Sequence, residues 1–304
     1  MRAAGTAPTE PEAARRRGNL RGALLMCAGA LAFAMEALFV RWMNARGIPT
    51  ATQVLARATG QLVWVVPALI AAGPAVFRTR RPLLHLFRGI SSMCTWGLYY
   101  ISMGLLDLAT ATVLSFTNVL FSTSLAGPLL GEKVGAARWA GVVAGLVGVA
   151  VMLRPWEGAE SGIPPLGAAV ALLGALTWCS ISLSSRTLTR TEPTVTIVAW
   201  VGLVTTLGSL PFAIWSWEPL ALGDWGVLLA FTVLTPSLLW LLTESYRYGE
   251  ASAVAPFQYL RLPVLALAGW WLFGEVPDAW GWAGSAVILC SALLVTVAEL
   301  RRRG

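Results

Sequence analysis

Charged side chains inside apolar segments are the first candidates for chemistry in this chain. Glu36, Arg57, Glu244 and Arg261 each stand within a long apolar run. A charge at membrane depth is costly, so such a residue is expected to bind a substrate or an ion, or to pair with another charge. The planar donors of arginine match a carboxylate or a phosphate. We therefore predict that Arg57 and Arg261 bind substrate, with a purely structural pairing of two acids and two bases as the alternative.

The two acids, Glu36 and Glu244, are predicted to couple to protons, because acidic residues inside membrane spans commonly form proton relays. The chain has one histidine, whereas enzymes embedded in membranes usually need a His/Asp, His/Glu or metal cluster. The four cysteines lack the spacing of metal ligands or of a disulfide framework. We therefore predict no catalytic residue, no metal site and no cofactor.

Two polar patches interrupt the apolar runs at matching places in the two halves of the chain. Residues 256–263 contain Gln258 and Tyr259 between two prolines, which remove backbone hydrogen bonds from a helix. The counterpart is 115–118, which ends with Asn118. Matching interruptions of this kind are a strong sequence indication of a transporter's substrate site. Hydrogen bonding between helices is the alternative role for Asn118.

Aromatic side chains away from the predicted membrane interfaces complete the candidate site. Such rings can stack on a planar or cationic substrate. Most of the 15 Trp residues are expected to pack between helices or to anchor them at the interfaces. The aromatic residues that we select for substrate binding are Trp96, Tyr99, Tyr100, Trp178 and Trp240.

The elements that position these residues are predicted to be membrane-spanning helices. The chain is 57% hydrophobic and 12% charged, whereas about a quarter of the residues of a soluble domain are charged. A spanning helix needs about 20 mostly apolar residues. Ten segments meet this requirement, at residues 20–40, 50–72, 84–105, 110–130, 137–153, 165–185, 194–215, 224–245, 251–273 and 280–299.

The distribution of Lys and Arg predicts that both ends of the chain lie in the cytoplasm. Residues 1–19 are polar and are predicted to be a disordered cytoplasmic tail. The segments on the predicted outer side hold only Arg41, Arg46 and Arg154, as the positive-inside rule requires. The net charge of +7 then reflects anchoring to anionic lipid and indicates no nucleic-acid partner.

A motif occurs once in each half of the chain. Leu-Leu-Gly-Glu followed by Trp-Ala-Gly spans 129–141, and Leu-Phe-Gly-Glu followed by Trp-Ala-Gly spans 272–284. Each half holds an odd number of predicted spans, so the second copy must insert in the opposite orientation. The sequence therefore predicts an all-α membrane protein of ten helices, built as two inverted five-helix repeats at 20–155 and 163–300.

These features resemble the drug/metabolite transporter superfamily and its EamA-type members. The resemblance rests on Arg57, on Arg88-Gly89 at the start of the third span, and on the two Gly-Glu and Trp-Ala-Gly motifs. It implies a central cavity through which a small metabolite moves by alternating access. Residues 256–278 are similar to a subgroup that contains S-adenosylmethionine and riboflavin carriers. Glu36 departs from the family pattern and is expected to bear on the substrate.

The predicted function is secondary active or facilitative transport of a small polar or amphipathic metabolite across a bacterial inner membrane. Amino-acid-like, nucleoside-like and vitamin-like substrates all stay open, as do import and export. The expected partners are this substrate and membrane lipid. Small residues in the last span of each half favour close helix packing, as a scaffold or as a homodimer contact. The alternatives are a membrane-embedded enzyme and a structural membrane protein without a transport cycle.

Overall fold

The structure, a computed structural model, describes residues 10–130, 135–154, 156–157, 163–188, 190–248 and 255–303. These ranges contain eleven α-helices, two short 3-10 segments and no strand. The α-helices are α1 (Glu10–Ala45), α2 (Thr50–Ala72), α3 (Pro82–Leu105), α4 (Leu108–Ser115), α5 (Thr117–Leu130), α6 (Ala136–Leu153), α7 (Pro165–Leu188), α8 (Thr194–Trp215), α9 (Leu222–Tyr248), α10 (Arg261–Phe273) and α11 (Ala279–Arg303); the 3-10 segments are Gly73–Phe77 and Ala255–Leu260.

The helices are those of a multi-pass membrane protein. Within the described ranges, six are long and apolar enough to cross a membrane: Arg17–Ala45, Thr50–Phe77, Leu108–Leu125, Pro165–Ser185, Thr194–Trp215 and Leu222–Leu242. Shorter apolar helices occupy Trp139–Leu153 and Ala279–Leu294. The predicted class, an all-helical membrane protein, is therefore confirmed.

The first helix begins earlier than the first predicted span. α1 starts at Glu10, inside the segment 1–19 that was expected to be a disordered tail, and Pro11 occupies its first turn. Proline is well tolerated there, because the first amide groups of a helix have no partner within the helix. Residues 1–9 of the predicted tail lie outside the described residues.

The largest helix contacts between the two halves each have a counterpart. The counterpart is found by replacing every helix with the one at the matching position of the other half, so that α1 corresponds to α7, α2 to α8, α3 to α9 and α6 to α11. α3 packs on α7 as α1 packs on α9, and α3 packs on α8 as α2 packs on α9. In the second half, Ala255–Leu260 and α10 pack on α1. In the same way, α4 and α5 of the first half pack on α7. The pairs α2–α8 and α6–α11 are each their own counterpart. We call α1, α2, α3, α7, α8 and α9 the central helices, because each of them contributes to the wall of the cavity described below.

Small residues bring α6 and α11 together. A Cβ atom on Gly284 would lie 2.5 Å from Met152 Cβ and 2.8 Å from the carbonyl oxygen of Gly148. Only glycine permits so close an approach. These glycines therefore pack the last helices of the two halves against each other within one chain, which corresponds to one of the two roles expected of them.

Two helices are interrupted where the sequence has its polar patches. α4 ends at Ser115 and α5 begins at Thr117, while Ala255–Leu260 passes into α10 at Arg261. The Asn118 amide donates to the Ser115 carbonyl oxygen at 2.7 Å, so a side chain competes with the backbone for helical hydrogen bonds there. The two breaks meet, since the rings of Phe116 and Tyr259 stack with their centroids 4.9 Å apart.

Candidate substrate-binding site

A cavity of about 420 Å³ lies between the central helices and the two breaks. Small-molecule sites in proteins commonly occupy about 300–1,000 Å³. Aromatic rings on its wall belong to Phe33, Trp96, Phe116 and Trp178. Hydrogen-bonding groups on its wall belong to Gln61, Ser92, Asn118, Ser185, Thr194 and Gln258. The combination suits a planar molecule with polar edges.

An ion pair lies at one side of the cavity, between α1, α2 and α3. The Arg57 guanidinium pairs with Glu36, and their side chains are 5% and 3% exposed. The Tyr100 hydroxyl donates to Glu36 Oε1 at 2.7 Å. The guanidinium carbon of Arg57 lies 3.4 Å from the centroid of the Trp96 ring. Arg57 is therefore held and neutralised by protein groups, and Glu36 supplies the neutralising charge.

Arg261 lies between two aromatic rings at the junction of the helix breaks. Its guanidinium carbon is 4.1 Å from the ring centroids of both Phe33 and Phe116. The residue is 8% exposed, and its Nε is buried without a hydrogen-bond partner. Both rings are close enough to the guanidinium for cation–π attraction. The rings accept no conventional hydrogen bond from Nε, so an acceptor on another molecule can pair with the N–H edge of this group.

Arg88 is a cavity residue that the sequence interpretation did not select. Its Nε donates to Ser185 Oγ at 3.0 Å, and its Nη1 is buried without a hydrogen-bond partner. In the sequence, Arg88 carries only the resemblance to the family. Arg88, Ser92 and Trp96 follow one another at four-residue spacing and so share one face of α3. Since Trp96 was already selected, that spacing could have identified Arg88.

Most of the residues selected from the sequence come together at the cavity. Arg57, Trp96, Asn118, Trp178, Gln258 and Arg261 all line it. Tyr99, Tyr100 and Tyr259 stand behind this lining: Tyr99 packs on Trp178 with centroids 6.1 Å apart, Tyr100 binds Glu36, and Tyr259 stacks on Phe116.

The structure does not bring Trp240 or Glu244 to the cavity wall. Leu238 and Leu242 of α9 line the cavity, whereas Trp240 is 51% exposed on the other side of the helix. Two residues correspond to a rotation of about 200° around a helix, so Trp240 must face away from its neighbours at 238 and 242. Glu244, which is partly buried, stands in the same relation to Leu242.

Ion pairs join the helix ends at one end of the bundle, which we call the closed end. Arg41 of α1 pairs with Glu275, and Glu275 Oε2 accepts a hydrogen bond of 2.8 Å from the amide of Leu108. That amide is at the start of α4, where it has no partner within the helix. The left-handed conformation of Gly274 (φ 68°) ends α10 and positions Glu275. Two further pairs, each 2.7 Å, are Arg46–Asp224 and Arg154–Asp278.

The cavity reaches the surface at the opposite end, which we call the open end. Thr194, the first residue of α8, both lines the cavity and is exposed. Toward the closed end the cavity stops at a buried layer that includes Tyr99 and Thr112, whose hydroxyl oxygens are 3.4 Å apart. A molecule can therefore approach Arg261 from the open end, while the closed end is sealed by packing and ion pairs.

Known proteins resemble this chain over most of its length. The EamA-like transporter family matches it twice, at residues 20–154 and 165–297. A riboflavin transporter of Rhizobium johnstonii is 31% identical over 284 residues, which are 92% of each protein. An S-adenosylmethionine uptake transporter of Rickettsia bellii is 26% identical over 235 residues, 77% of this chain and 79% of the relative. One solved crystal structure shares the fold, with a TM-score of 0.61 at 22% identity over 93% of this chain and 98% of the other.

Proposed function

Because the chain belongs to the EamA-like transporter family, we propose that it carries a small planar metabolite across a bacterial inner membrane by alternating access. The family and the named relatives are transporters and not enzymes. The observation that carries the proposal is a cavity of about 420 Å³ that opens at one end of the bundle while ion pairs close the other. A carrier caught in one of its two states has this geometry.

The two states follow from two inverted repeats, at 20–155 and 163–300, that together supply ten spans. In this arrangement α4 with α5 forms the fourth span, and Ala255–Leu260 with α10 forms the ninth. The exchange of helix contacts between the halves and the double match to the family support it. When repeats of this kind exchange conformations, the closed end opens and the open end closes around a site at mid-depth.

The open end is the cytoplasmic end in our proposal. The closed end carries Arg41, Arg46 and Arg154, which are the basic residues left on the outer side by the positive-inside rule. Both ends of the chain then lie in the cytoplasm, and the structure is the inward-facing state. Coupling to protons through Glu36 or Glu244, and a homodimer, stay predictions.

A ring system that packs against Trp96 and Trp178 is the feature that we expect every substrate to share. The centroids of these two rings are 5.3 Å apart and their planes meet at 51°, which leaves a wedge-shaped aromatic wall. Gln258 and Asn118 offer amide groups to the polar edge of a ring. Riboflavin, the compound named for one relative, is a planar molecule of this kind and is the first compound to test.

The test is untargeted mass spectrometry of cells and medium, with and without expression of the chain. The matched pair of variants is Arg261→Gln, in the cavity, and Arg80→Gln, an exposed arginine outside it. We expect one metabolite to change compartment with the wild-type chain and with Arg80→Gln, and not with Arg261→Gln. Membrane levels measured by blot must be equal for the comparison. No change in either compartment at equal protein levels would contradict the proposal.

A further inference from the structure

The cavity holds more positive than negative charge. Arg57, Arg88 and Arg261 all line it. Glu36 neutralises Arg57. No carboxylate within the described ranges forms an ion pair with Arg88 or Arg261. Two guanidinium groups are therefore left without a protein anion.

These two groups also retain unused hydrogen-bond donors. Arg261 is 8% exposed with Nε unpartnered, and Nη1 of Arg88 is buried without a partner. A buried charge that lacks a partner is strongly unfavourable, and arginine in such a place normally meets a carboxylate or a phosphate. The missing partner is then expected on the molecule that the cavity receives.

The surroundings of Arg261 select the shape of that partner. Phe33 and Phe116 both lie within cation–π distance of the guanidinium, so the protein itself supplies the aromatic contacts of this group. The N–H edge stays available, and it matches an oxyanion with two oxygens in one plane. Trp96 and Trp178 on the same wall supply the surface for a ring.

We propose that the substrate is an organic anion: a planar ring compound whose carboxylate or phosphate binds the edge of Arg261. This inference rests on the proposed function and defines its substrate class. Arg88 lies two turns from Trp96 along α3, about 12 Å closer to the open end. It draws the anion into the cavity from that side, because a positive charge in a narrow cleft raises the local concentration of anions. Neutral and cationic ring compounds of the same size are expected to bind more weakly, because they leave the charge of Arg261 unneutralised.

The test compares ring compounds that differ only in an oxyanion. The probes are riboflavin against riboflavin 5′-phosphate, and indole-3-acetamide against indole-3-acetate, with inorganic phosphate as a ring-free anion. Binding to the purified full chain in lipid nanodiscs is measured by calorimetry. We expect the oxyanion of at least one pair to bind about tenfold or more tightly than its neutral partner.

Variants assign the preference to the arginines. Arg261→Gln is expected to abolish it, Arg88→Gln to reduce it, and Arg80→Gln, which lies outside the cavity, to leave it unchanged. Arg261→Lys keeps the charge without the planar edge, so it should retain part of the preference even where Arg261→Gln fails to fold. Three results would each overturn the proposal. They are equal binding of both members of each pair, no binding of any oxyanion to the wild-type chain, and a preference that survives in both Arg261→Gln and Arg88→Gln.

Transport is measured separately, by loading proteoliposomes with the same probes. A preferred oxyanion that binds and is not moved across the membrane would refute the proposed function and leave the charge selectivity standing. Transport of the neutral member, with the oxyanion excluded, would refute the charge selectivity and leave the transport function standing.

Discussion

Glu275→Gln is the substitution that most directly weakens the closed end. The carboxylate of Glu275 joins three helices, because Glu275 follows the end of α10, pairs with Arg41 of α1 and accepts the Leu108 amide at the start of α4. The substitution preserves the size of the side chain. It removes the negative charge and leaves only one of the two acceptor oxygens.

The expected magnitude follows from the exposure of the pair. The side chains of Arg41 and Glu275 are 23% and 12% exposed, so solvent screens part of their attraction. A hydrogen bond to a charged group contributes about 1.5–3 kcal/mol when buried and less at a surface. Taking about 1–2 kcal/mol for the loss, the population with the closed end open should rise about 5- to 30-fold.

The assay is alkylation of a single cysteine by a membrane-impermeant maleimide added from the outer side. Thr112→Cys is the reporter, in a background without the four native cysteines. Thr112 is fully buried and shares one face of α4 with Leu108, at the ion pair, and Phe116, at the cavity. We expect Glu275→Gln to raise the labelling rate about 5- to 30-fold, in proportion to the open population.

The matched control is Asp278→Asn, the same chemical change in a more exposed pair. The side chain of Asp278 is 49% exposed in its pair with Arg154, so we expect less than about a twofold change. A rate that Glu275→Gln leaves unchanged would refute the role of this pair. A rise that is equal in both variants would refute the argument from burial.

Three further predictions concern the buried ion pair, the aromatic wall and the helix scaffold. Glu36→Gln leaves the Arg57 guanidinium unpaired, so we expect the free energy of unfolding to fall by about 3–5 kcal/mol. A Glu36→Gln/Arg57→Gln double variant should recover most of this loss in thermal unfolding. Additive losses in the double variant would contradict the pairing. Trp178→Ala should weaken binding of the preferred oxyanion about tenfold in calorimetry, equivalent to about 1.4 kcal/mol. Trp240→Ala, on the outside of α9, should leave this binding unchanged. Equal losses of affinity in the two variants would contradict the placement of these rings. Gly284→Ala places a Cβ 2.5 Å from Met152 Cβ and should lower the Tm. Gly97→Ala, whose Cβ would have nothing within 4 Å, should leave the Tm unchanged. A Tm that stays the same in both variants would contradict the close packing of α6 and α11.

The sequence was sufficient to predict the all-helical membrane class and the positions of both helix breaks. Runs of about 20 apolar residues identify spans directly. The prolines around Arg261 and the polar residues near Asn118 identified both helix breaks, because these residues disturb helical hydrogen bonding through local chemistry. Predictions of this kind depend on neighbours in the chain, and so they need no knowledge of packing.

The faces of the helices could not be predicted in the same way. α9 carries apolar residues on all sides, so periodicity does not distinguish the side that faces the cavity from the side that faces lipid. Trp240 was therefore selected although Leu238 and Leu242 are the residues that line the cavity. Partners distant in sequence were equally hidden: nothing local to Glu36 predicts Arg57 and Tyr100 as its partners, and nothing local to Glu275 predicts the Leu108 amide.

The measurement that tests alternating access most directly is the distance between spin labels at both ends of one molecule. Ala45 and Val276 are exposed positions at the closed end, and Leu20 and Thr191 are exposed positions at the open end. Each pair is labelled in wild-type and Glu275→Gln protein in nanodiscs and is measured by double electron–electron resonance. Our account predicts that Glu275→Gln adds a longer distance at the closed end and, in the same fraction of molecules, a shorter distance at the open end. Widening at the closed end without narrowing at the open end would contradict it, because the chain would then form a pore and not a carrier.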